Sequence, residues 1–235
     1  MALSPIEQFF HEAAFNDDPK KLKEVLNSKD NRQQTPLHKA SERGNLTMVK
    51  ALIILGAKIE AKDEDGRTPL HTAAKVEIAK HLIEKGAQIE ARDFERYTPL
   101  IWQCLDENSD VVKYLIEIGA QIHAKDNFGK TPLHYLGTVE IAKCLIENGA
   151  QIEAKDNYGY TPLHLAGGLN DYLDDTDPEE VKQIIELLIE NGAQINVRNN
   201  KDLTPFELAD QNGHFETAQY LLVKKKELEL KELFA

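Results

Sequence analysis

The sequence contains few of the features that build disulfide scaffolds, zinc sites or membrane spans. Its 235 residues include two cysteines, Cys104 and Cys144, and neither belongs to a CxxC pair. No stretch approaches the roughly 18 consecutive apolar residues of a membrane span. The N-terminus, "MALSPIEQFFHEAAF", lacks the basic and apolar regions of a signal peptide. These features predict a soluble, cytoplasmic protein without a membrane segment.

Positive charge and aromatic rings are also scarce. The chain has 40 acidic and 28 basic residues, which gives a formal net charge of −12. Binding to a phosphate backbone needs clustered Lys and Arg, so the composition argues against a nucleic-acid partner. Aromatic residues make up only 7% of the chain, and a local concentration of rings therefore calls for an explanation.

The chain is rich in internal repetition. Thr-Pro occurs six times, with its threonine at Thr35, Thr68, Thr98, Thr131, Thr161 and Thr204. Successive copies are 33, 30, 33, 30 and 43 residues apart. A Gly-Ala pair follows in the first five units, and it always precedes the next Thr-Pro by 12 residues. Unit length therefore varies only between the two predicted helices of each unit, and such a period is typical of a stacked repeat protein.

Each unit has the pattern of two short helices and a turn. Threonine is a good N-cap, and proline suits the first helical position. In the second helix apolar pairs recur at i and i+4, as in Ile78-Ala79 with Leu82-Ile83. Glycine ends this helix, and segments such as "AKDNFGK" favour a tight turn. Helices of about 10 residues are unstable alone in water, so the units must stack into an all-α solenoid.

The phrases "DGRTPLHTAA", "FGKTPLHYLG" and "YGYTPLHLAG" resemble the ankyrin repeat family. The resemblance covers residues 30 to about 223 through in-phase copies. It implies an all-α ankyrin-repeat solenoid of helix–turn–helix units with β-hairpin-like fingers. It also implies protein binding through the concave face and the fingertips, with no enzymatic activity and no cofactor.

We predict a single ankyrin-repeat domain over residues 1–235. Its predicted parts are an N-terminal capping helix pair (1–29), repeat 1 (30–62), repeat 2 (63–92), repeat 3 (93–125), repeat 4 (126–155), repeat 5 (156–198) and a C-terminal capping repeat and helix (199–235). Repeats 2 and 4 are three residues short, so we expect each first helix to be clipped by about one turn. The second helix of the last repeat should run on to near Leu233. Repeat 5 carries an acidic insert at about 169–178, which is either a mobile, removable loop or a docking loop for a basic partner.

Several residues are candidates for chemistry. A histidine follows Thr-Pro-Leu at His38, His71, His134 and His164. The resemblance implies that these residues bridge loops of adjacent repeats. A metal ladder is the alternative, but ligands spaced along a stack do not converge on one ion, and we expect no metal site. We expect buried, inert thiols at Cys104 and Cys144. Asn196 matches a position that some asparaginyl hydroxylases modify in ankyrin repeats, and a structural role is the alternative.

Repeat 3 departs most from the common pattern. It reads "PLIWQCL", so Ile101 replaces the histidine and the lone tryptophan, Trp102, follows it. Trp102 either fills the space that the imidazole would occupy or faces the groove as an anchor for a partner. Tryptophan is common in both settings, because it is often partly buried and is enriched at interface hot spots.

The turns of repeats 3 to 5 concentrate aromatic residues. The segments "DFERY", "DNFGK" and "DNYGY" hold Phe94, Tyr97, Phe128, Tyr158 and Tyr160. In the family that the chain resembles, residues that flank the finger turn vary with the partner. We therefore predict a partner-binding patch of these five rings, helped by Trp102 and rimmed by Arg67, Arg96 and Lys130. The alternative is that rings pack on the neighbouring finger, since an aromatic contact alone contributes about 0.5–1.5 kcal/mol.

The function predicted from the sequence is a non-enzymatic protein-interaction module or scaffold, expected to be a monomer. An enzyme is disfavoured, because the sequence has no Gly-rich phosphate loop, H-E-x-x-H or G-x-S-x-G motif. One alternative is a structural spacer that self-assembles through its C-terminal helix. Another is a microbial effector that is delivered into a host cell and binds a host protein.

Overall fold

Helices alternate with short turns, and no strand is assigned within the residues that the structure describes. The computed structural model describes residues 24–168 and 178–234. The helices are α1 (Pro36–Glu42), α2 (Leu46–Ile54), α3 (Val76–Glu84), α4 (Pro99–Leu105), α5 (Ser109–Glu117), a 3₁₀ turn (Pro132–His134), α6 (Val139–Glu147), α7 (Pro162–Gly168), α8 (Pro178–Glu190), α9 (Pro205–Gln211) and α10 (Phe215–Leu233). The chain divides into two compact lobes, an N-terminal lobe of Met1–Trp102 and a C-terminal lobe of Gln103–Ala235. The predicted all-α repeat architecture is confirmed.

The helix boundaries lie where the repeated phrases predict them. Thr204 caps α9, and its hydroxyl accepts the backbone N–H of Glu207 at 3.3 Å. The Thr98 hydroxyl similarly accepts the backbone N–H of Ile101 at 3.3 Å. After each second helix the glycine of Gly-Ala has a positive φ, for example 91° at Gly149 and 99° at Gly192. Glycine is favoured there because it lacks the Cβ that opposes the left-handed region.

The first helices of repeats 2 and 4 are shorter than predicted. Residues 69–72 form turns without a helix, and repeat 4 has only the 3₁₀ turn Pro132–His134. The expectation of a helix clipped by one turn was wrong in extent. With three residues fewer, the backbone closes i to i+3 bonds, such as Ala73 N–H to Leu70 C=O at 3.4 Å and Tyr135 N–H to Pro132 C=O at 3.0 Å, whereas the first helix of repeat 5 includes the i to i+4 bond from Leu165 N–H to Thr161 C=O at 3.3 Å. Such 3₁₀-type turns are the usual form of very short helical segments.

The second helices bury the apolar stripe that the sequence predicts. Ile78 and Leu82 on α3 have no solvent exposure, and the same holds for Ile141 and Leu145 on α6. Because residues four apart lie on one helix face, each stripe packs into the core of its own lobe. Stacking against neighbouring repeats thus supplies the burial that these nine-residue helices need.

The fingers are closed turns that bond to one another without forming assigned strands. In the C-terminal lobe the backbone N–H of Asp156 donates to the carbonyl of Tyr160 at 3.0 Å, and that of Asn157 donates to the carbonyl of Phe128 in the preceding finger at 2.9 Å. In the N-terminal lobe the backbone N–H of Phe94 donates to the carbonyl of Asp65 at 2.9 Å. Within each lobe, these neighbouring fingers are therefore fixed to one another by backbone hydrogen bonds.

The last helix extends beyond its repeat, as predicted. Helix α10 has 19 residues and ends at Leu233, and its buried residues Ala218 and Leu221 anchor it. No helix in the described ranges is long and apolar enough to cross a membrane. Most of the predicted N-terminal cap, together with the acidic insert at 169–177, lies outside the described residues.

Candidate functional site

Each finger begins with a carboxylate or amide that holds the turn in shape. The Oδ1 atom of Asp126 accepts the backbone N–H groups of Phe128 and Lys130, both at 2.8 Å. Asp156 does the same for the backbone N–H groups of Tyr158 and Tyr160, at 2.8 and 2.9 Å. Side-chain-to-backbone bonds of this kind fix a turn locally. The side chains at the tips therefore stand on a rigid base.

The repeated histidines join the segment that follows Thr-Pro in each repeat to the next finger. Nδ1 of His38 accepts the backbone N–H of Thr35 at 3.2 Å, so Nε2 must carry the proton and donate. Nε2 lies close to a carbonyl of the following finger in every case, with distances of 3.0 Å for His38 to Arg67, 3.1 Å for His71 to Tyr97, 3.2 Å for His134 to Tyr160 and 3.1 Å for His164 to Leu203. This geometry agrees with the bridging role that the resemblance implies.

Burial keeps these histidines neutral. It lowers the pKa of His71 and of His134 to about 4, and it lowers the pKa of His38 and His164 as well. A neutral ring is required, because a protonated Nδ1 could not accept the threonine N–H. Within residues 24–168 and 178–234, no three His, Cys, Asp or Glu side chains converge into a group that could hold a metal ion.

In the N-terminal lobe, three of the predicted site residues form one cluster around Trp102. The guanidinium of Arg67 lies 4.6 Å from the centre of the Trp102 ring, and the Tyr97 ring centre is 6.4 Å away. Arg67 is only 6% exposed, and its Nε donates to Asp63 Oδ2 at 2.8 Å. Arg67 is therefore an internal support for Trp102 and not part of an exposed rim. Ile101, which replaces the histidine, is fully buried.

Phe94 and Arg96 lie at the tip of the same finger. Phe94 is 65% exposed, yet one edge of its ring covers the preceding finger, because a Cβ added at Gly66 would lie 2.8 Å from Phe94 Cδ1. The alternative of packing on a neighbouring finger thus applies to one edge of this ring. Arg96 is exposed and adopts a φ of 62°, a left-handed conformation in which the fingers of repeats 4 and 5 have Gly129 and Gly159.

In the C-terminal lobe, the predicted residues present two exposed rings. Phe128 is 39% exposed and Tyr158 is 55% exposed, and both occupy the second position after the finger aspartate. Tyr160 is less exposed, because its ring contacts the rings of Tyr158 and His164, with centres 6.2 and 5.9 Å away. Phe128 and Tyr158 are therefore exposed rings at equivalent positions on neighbouring fingers.

The sequence did not identify Tyr135, a buried residue that supports the finger of repeat 4. Tyr135 is only 3% exposed, and its hydroxyl donates to Asp126 Oδ2. The ammonium of Lys130 lies 5.3 Å from the centre of the Tyr135 ring. The signal was the tyrosine that follows Thr-Pro-Leu-His in a shortened repeat. Its role could be found only once that repeat was known to lack a first α-helix.

The carboxylates of the fingertips are mostly neutralised within their own lobe. Arg32 pairs with Glu64 at 3.3 Å, and Arg198 lies 3.6 Å from Asp202. Arg67, besides binding Asp63, pairs with Asp65. By contrast, the three tip cations Arg96, Lys130 and Lys201 have no ion pair among the described residues. The fingertips therefore carry more unpaired positive charge than the acidic composition suggests.

The other candidate residues have structural surroundings. Cys104 is buried as expected, whereas Cys144 is only half-buried, and burial raises the pKa of both thiols. At positions equivalent to Asn196, the side chains of Glu60 and Glu153 accept backbone N–H groups of the following repeat at 3.1 and 3.0 Å. This supports the structural alternative for the position, and modification of Asn196 stays a prediction.

Comparison with protein families gives matches along most of the chain. A model described as ankyrin repeats in three copies matches residues 10–93, 77–156 and 100–173, and one described as ankyrin repeats in many copies matches residues 179–222. An ankyrin repeat-containing protein of Schizosaccharomyces pombe is 40% identical over 53 residues. This match spans 23% of the present chain and 26% of the yeast protein.

Solved structures give longer matches at lower identity. One is a chain in the complex of a predatory endopeptidase from Bdellovibrio bacteriovorus with an immunity protein, with a TM-score of 0.67 and 24% identity. It covers 84% of the present chain and 100% of the matched chain. A crystallised ankyrin repeat protein has a TM-score of 0.65 and 26% identity over 80% of the present chain and 96% of its own.

Proposed function

This chain belongs to the ankyrin repeat family, and on that premise we propose that it is a non-enzymatic module that binds a protein partner through its fingertips and concave face. Ankyrin repeats generally mediate protein–protein interaction. The residues that we assign to partner contact are Phe94, Arg96, Tyr97, Trp102, Phe128, Lys130, Tyr158 and Tyr160. Arg67 belongs to the same site as the support that orients Trp102.

The observation that carries the proposal is that exposed rings stand on rigid fingers. Phe128 and Tyr158 remain exposed, although their own backbone N–H groups are fixed by Asp126 and Asp156. An exposed ring contributes little to folding, whereas interface energy concentrates in a few aromatic and arginine residues. A rigid base also lowers the entropy that is lost on binding. Such a surface is suited to recognition.

The polar groups nearest these rings are already engaged in structural bonds. Both ring nitrogens of His134 are hydrogen-bonded, Nδ1 to Thr131 at 3.0 Å and Nε2 to Tyr160 at 3.2 Å. His164 is bonded in the same way to Thr161 and Leu203. A general base needs a free ring nitrogen within reach of a substrate, so these histidines support the binding function and not catalysis.

The test uses affinity capture with the full chain as bait, followed by mass spectrometry and titration of the captured partner. We expect Phe128→Ala and Tyr158→Ala each to weaken binding about tenfold or more, with little change in melting temperature. Phe215→Ala is the control, because Phe215 is also an exposed ring, 69% accessible, and lies away from the fingers at the start of α10. If both fingertip variants bind like the wild type, the fingertips are not the site.

A second candidate function is self-assembly through α10. Its outer surface exposes Val223, Leu230 and Leu233, which are 47%, 57% and 78% accessible. Apolar side chains that line one helix face favour association with another surface. Sedimentation velocity at tens of micromolar would show a dimer that Leu230→Glu abolishes, whereas a monomer at that concentration would contradict this candidate.

A further inference from the structure

The fingers of the C-terminal lobe form a continuous hydrogen-bonded row. The backbone N–H of Asn157 donates to the carbonyl of Phe128, and that of Asn200 donates to the carbonyl of Tyr158, at 2.9 and 3.0 Å. The side-chain amides of the same asparagines also donate to the preceding finger, at 3.0 and 3.1 Å. Three neighbouring fingers are thus held in fixed register. Residues at the same position of the turn occupy equivalent positions on successive fingers.

The equivalent residues along this row are two rings followed by a cation. The second position after the finger aspartate or asparagine is Phe128, then Tyr158, then Lys201. Lys130, two residues after Phe128 in the first finger, adds a second cation to the row. Phe128, Tyr158 and Lys201 are all exposed, and Lys130 is half-buried. The row combines apolar surface with two positive charges.

The positive charges of this row are available to a ligand. Lys201 and Lys130 take part in no ion pair among the described residues, although the Lys130 ammonium lies 5.3 Å from the centre of the Tyr135 ring. Asp202, the exposed carboxylate of the third finger, faces Arg198. Asp126 and Asp156 are buried at the finger bases. The chain as a whole has a net charge of −12, but charges beyond about 8 Å are largely screened at physiological ionic strength. Local charge at the tips therefore decides which ligand fits.

From this arrangement we infer that the C-terminal fingertips bind an extended acidic peptide segment with two apolar side chains. Packed elements lie about 8–10 Å apart, and an extended polyproline II chain rises about 3.1 Å per residue with three residues per turn, so that every third side chain returns to the same face. The two apolar side chains should therefore stand about three residues apart, to meet Phe128 and Tyr158. Asp or Glu near these side chains would meet Lys130 and Lys201. This inference rests on the proposed function and adds the chemistry of the partner.

The experiment is a selection of random dodecapeptides displayed on phage, with the full chain as the immobilised target at about 150 mM NaCl, where the Debye length is about 8 Å. We expect the enriched peptides to be acidic and to carry two apolar residues about three positions apart. A synthetic peptide of the enriched sequence, measured by fluorescence polarisation, should bind Tyr158→Ala and the double variant Lys130→Glu/Lys201→Glu at least tenfold more weakly than the wild type.

Matched controls separate the site from general changes in ring content or charge. Phe215→Ala removes an exposed ring, and Lys226→Glu reverses an exposed charge, both on α10. Neither should alter peptide binding. Melting temperatures of Tyr158→Ala, Phe215→Ala and Lys226→Glu should stay near that of the wild type, because these side chains are exposed.

The outcomes distinguish this inference from the proposed function. Neutral or basic peptides that lose binding in Tyr158→Ala would overturn the acidic partner and leave the fingertip site intact. Peptides that bind Phe128→Ala and Tyr158→Ala as well as the wild type would overturn both. Failure of any peptide to be enriched would overturn the inference that these fingertips take a linear segment.

Discussion

The aspartate at the base of each finger has the same backbone role but different neighbours. Asp63 is neutralised by Arg67, and Asp126 accepts the Tyr135 hydroxyl. Asp93 and Asp156 belong to the longer repeats; their burial raises the pKa of Asp93 to about 6 and also raises that of Asp156. Asp156 Oδ2 is buried without a hydrogen-bond partner. Equivalent aspartates of different repeats therefore have different neighbours, and the free energy of burying a carboxylate charge depends on those neighbours.

We expect Asp93→Asn to stabilise the protein at neutral pH. The raised pKa means that the folded state holds this proton more tightly, so the wild type loses stability as pH rises from about 4 to about 6. The amide keeps the Oδ1 acceptor, as Asn199 shows in the last finger. The variant should gain about 1–2 kcal/mol at pH 7 and nothing below pH about 4, from urea unfolding at both pH values.

The control for this prediction is Asp63→Asn, which removes a buried ion pair. Arg67 is only 6% exposed, and its guanidinium would lose the buried carboxylate partner and keep only the exposed Asp65. A loss of about 1.5–3 kcal/mol is expected, as for a hydrogen bond to a charged group. If Asp93→Asn also destabilises the protein at pH 7, burial of that charge is not the dominant effect at this finger.

The bridging histidines predict acid sensitivity of the opposite sign. Their pKa values are lowered in the folded state, to about 4 for His71 and His134, whereas an unfolded histidine titrates near 6.5. Their contribution is therefore complete above pH about 6.5 and is lost as pH falls toward 4. At pH 5 these two residues together should reduce the unfolding free energy by about 4 kcal/mol. A melting temperature at pH 5 equal to that at pH 7 would contradict this bridging role of the neutral histidines.

The turns of each repeat depend on glycine in two different surroundings. After the second helix, Gly149 has a φ of 91° and nothing within 4 Å of an added Cβ. In the finger, Gly129 has a φ of 78°, and an added Cβ would lie 3.0 Å from the backbone nitrogen of Asn157. The first glycine is required by its own conformation alone. The second also allows the neighbouring finger to approach.

We therefore expect alanine to be tolerated better after the helix than in the finger. Gly149→Ala should cost about 1–2 kcal/mol, the penalty of a left-handed conformation. Gly129→Ala should cost about 1 kcal/mol more, because Asn157 must move and its bond to Phe128 weakens. Urea denaturation of the two variants measures the difference. Equal losses would show that the fingers can separate without cost.

The division into two compact lobes has a consequence for stability across the whole chain. Each repeat packs chiefly on its neighbours, so stability is approximately a sum of local terms. Leu82 in the N-terminal lobe and Leu145 in the C-terminal lobe are equivalent residues of the second-helix stripe, and neither has solvent exposure. Substitution of either residue therefore makes an equivalent cavity in one lobe, and the two variants can be compared to locate which repeats are destabilised.

We expect Leu82→Ala and Leu145→Ala each to cost about 3 kcal/mol and to act locally. Hydrogen exchange should accelerate most in the repeats of the lobe that carries the substitution, with smaller changes in the other lobe. Uniform acceleration along the whole chain in either variant would indicate that the two lobes open as one cooperative unit.

The candidate site could be predicted from the sequence only in part. The ring concentration identified exposed Phe94, Phe128 and Tyr158, because turn tips are exposed in any stacked repeat. Arg67 was assigned to the rim, yet it lies buried beneath Trp102, and Tyr135 was not recognised as a support. Whether a long side chain faces solvent depends on neighbouring repeats and cannot be found from its own segment.

The sequence by itself determined the repeat, the helix caps and the apolar stripes of the second helices, and the resemblance to the family implied the bridging histidines. These features depend on contacts within a few residues or between adjacent copies of one phrase, such as the Thr204 cap and the bonds of His134. Only the tertiary structure decided that repeats 2 and 4 lack a first α-helix, that burial raises the pKa of Asp93, and that Asp126 accepts the Tyr135 hydroxyl. The physical reason is that burial and hydrogen-bond partners come from neighbouring repeats, whereas caps, turns and apolar periodicity are properties of the local chain.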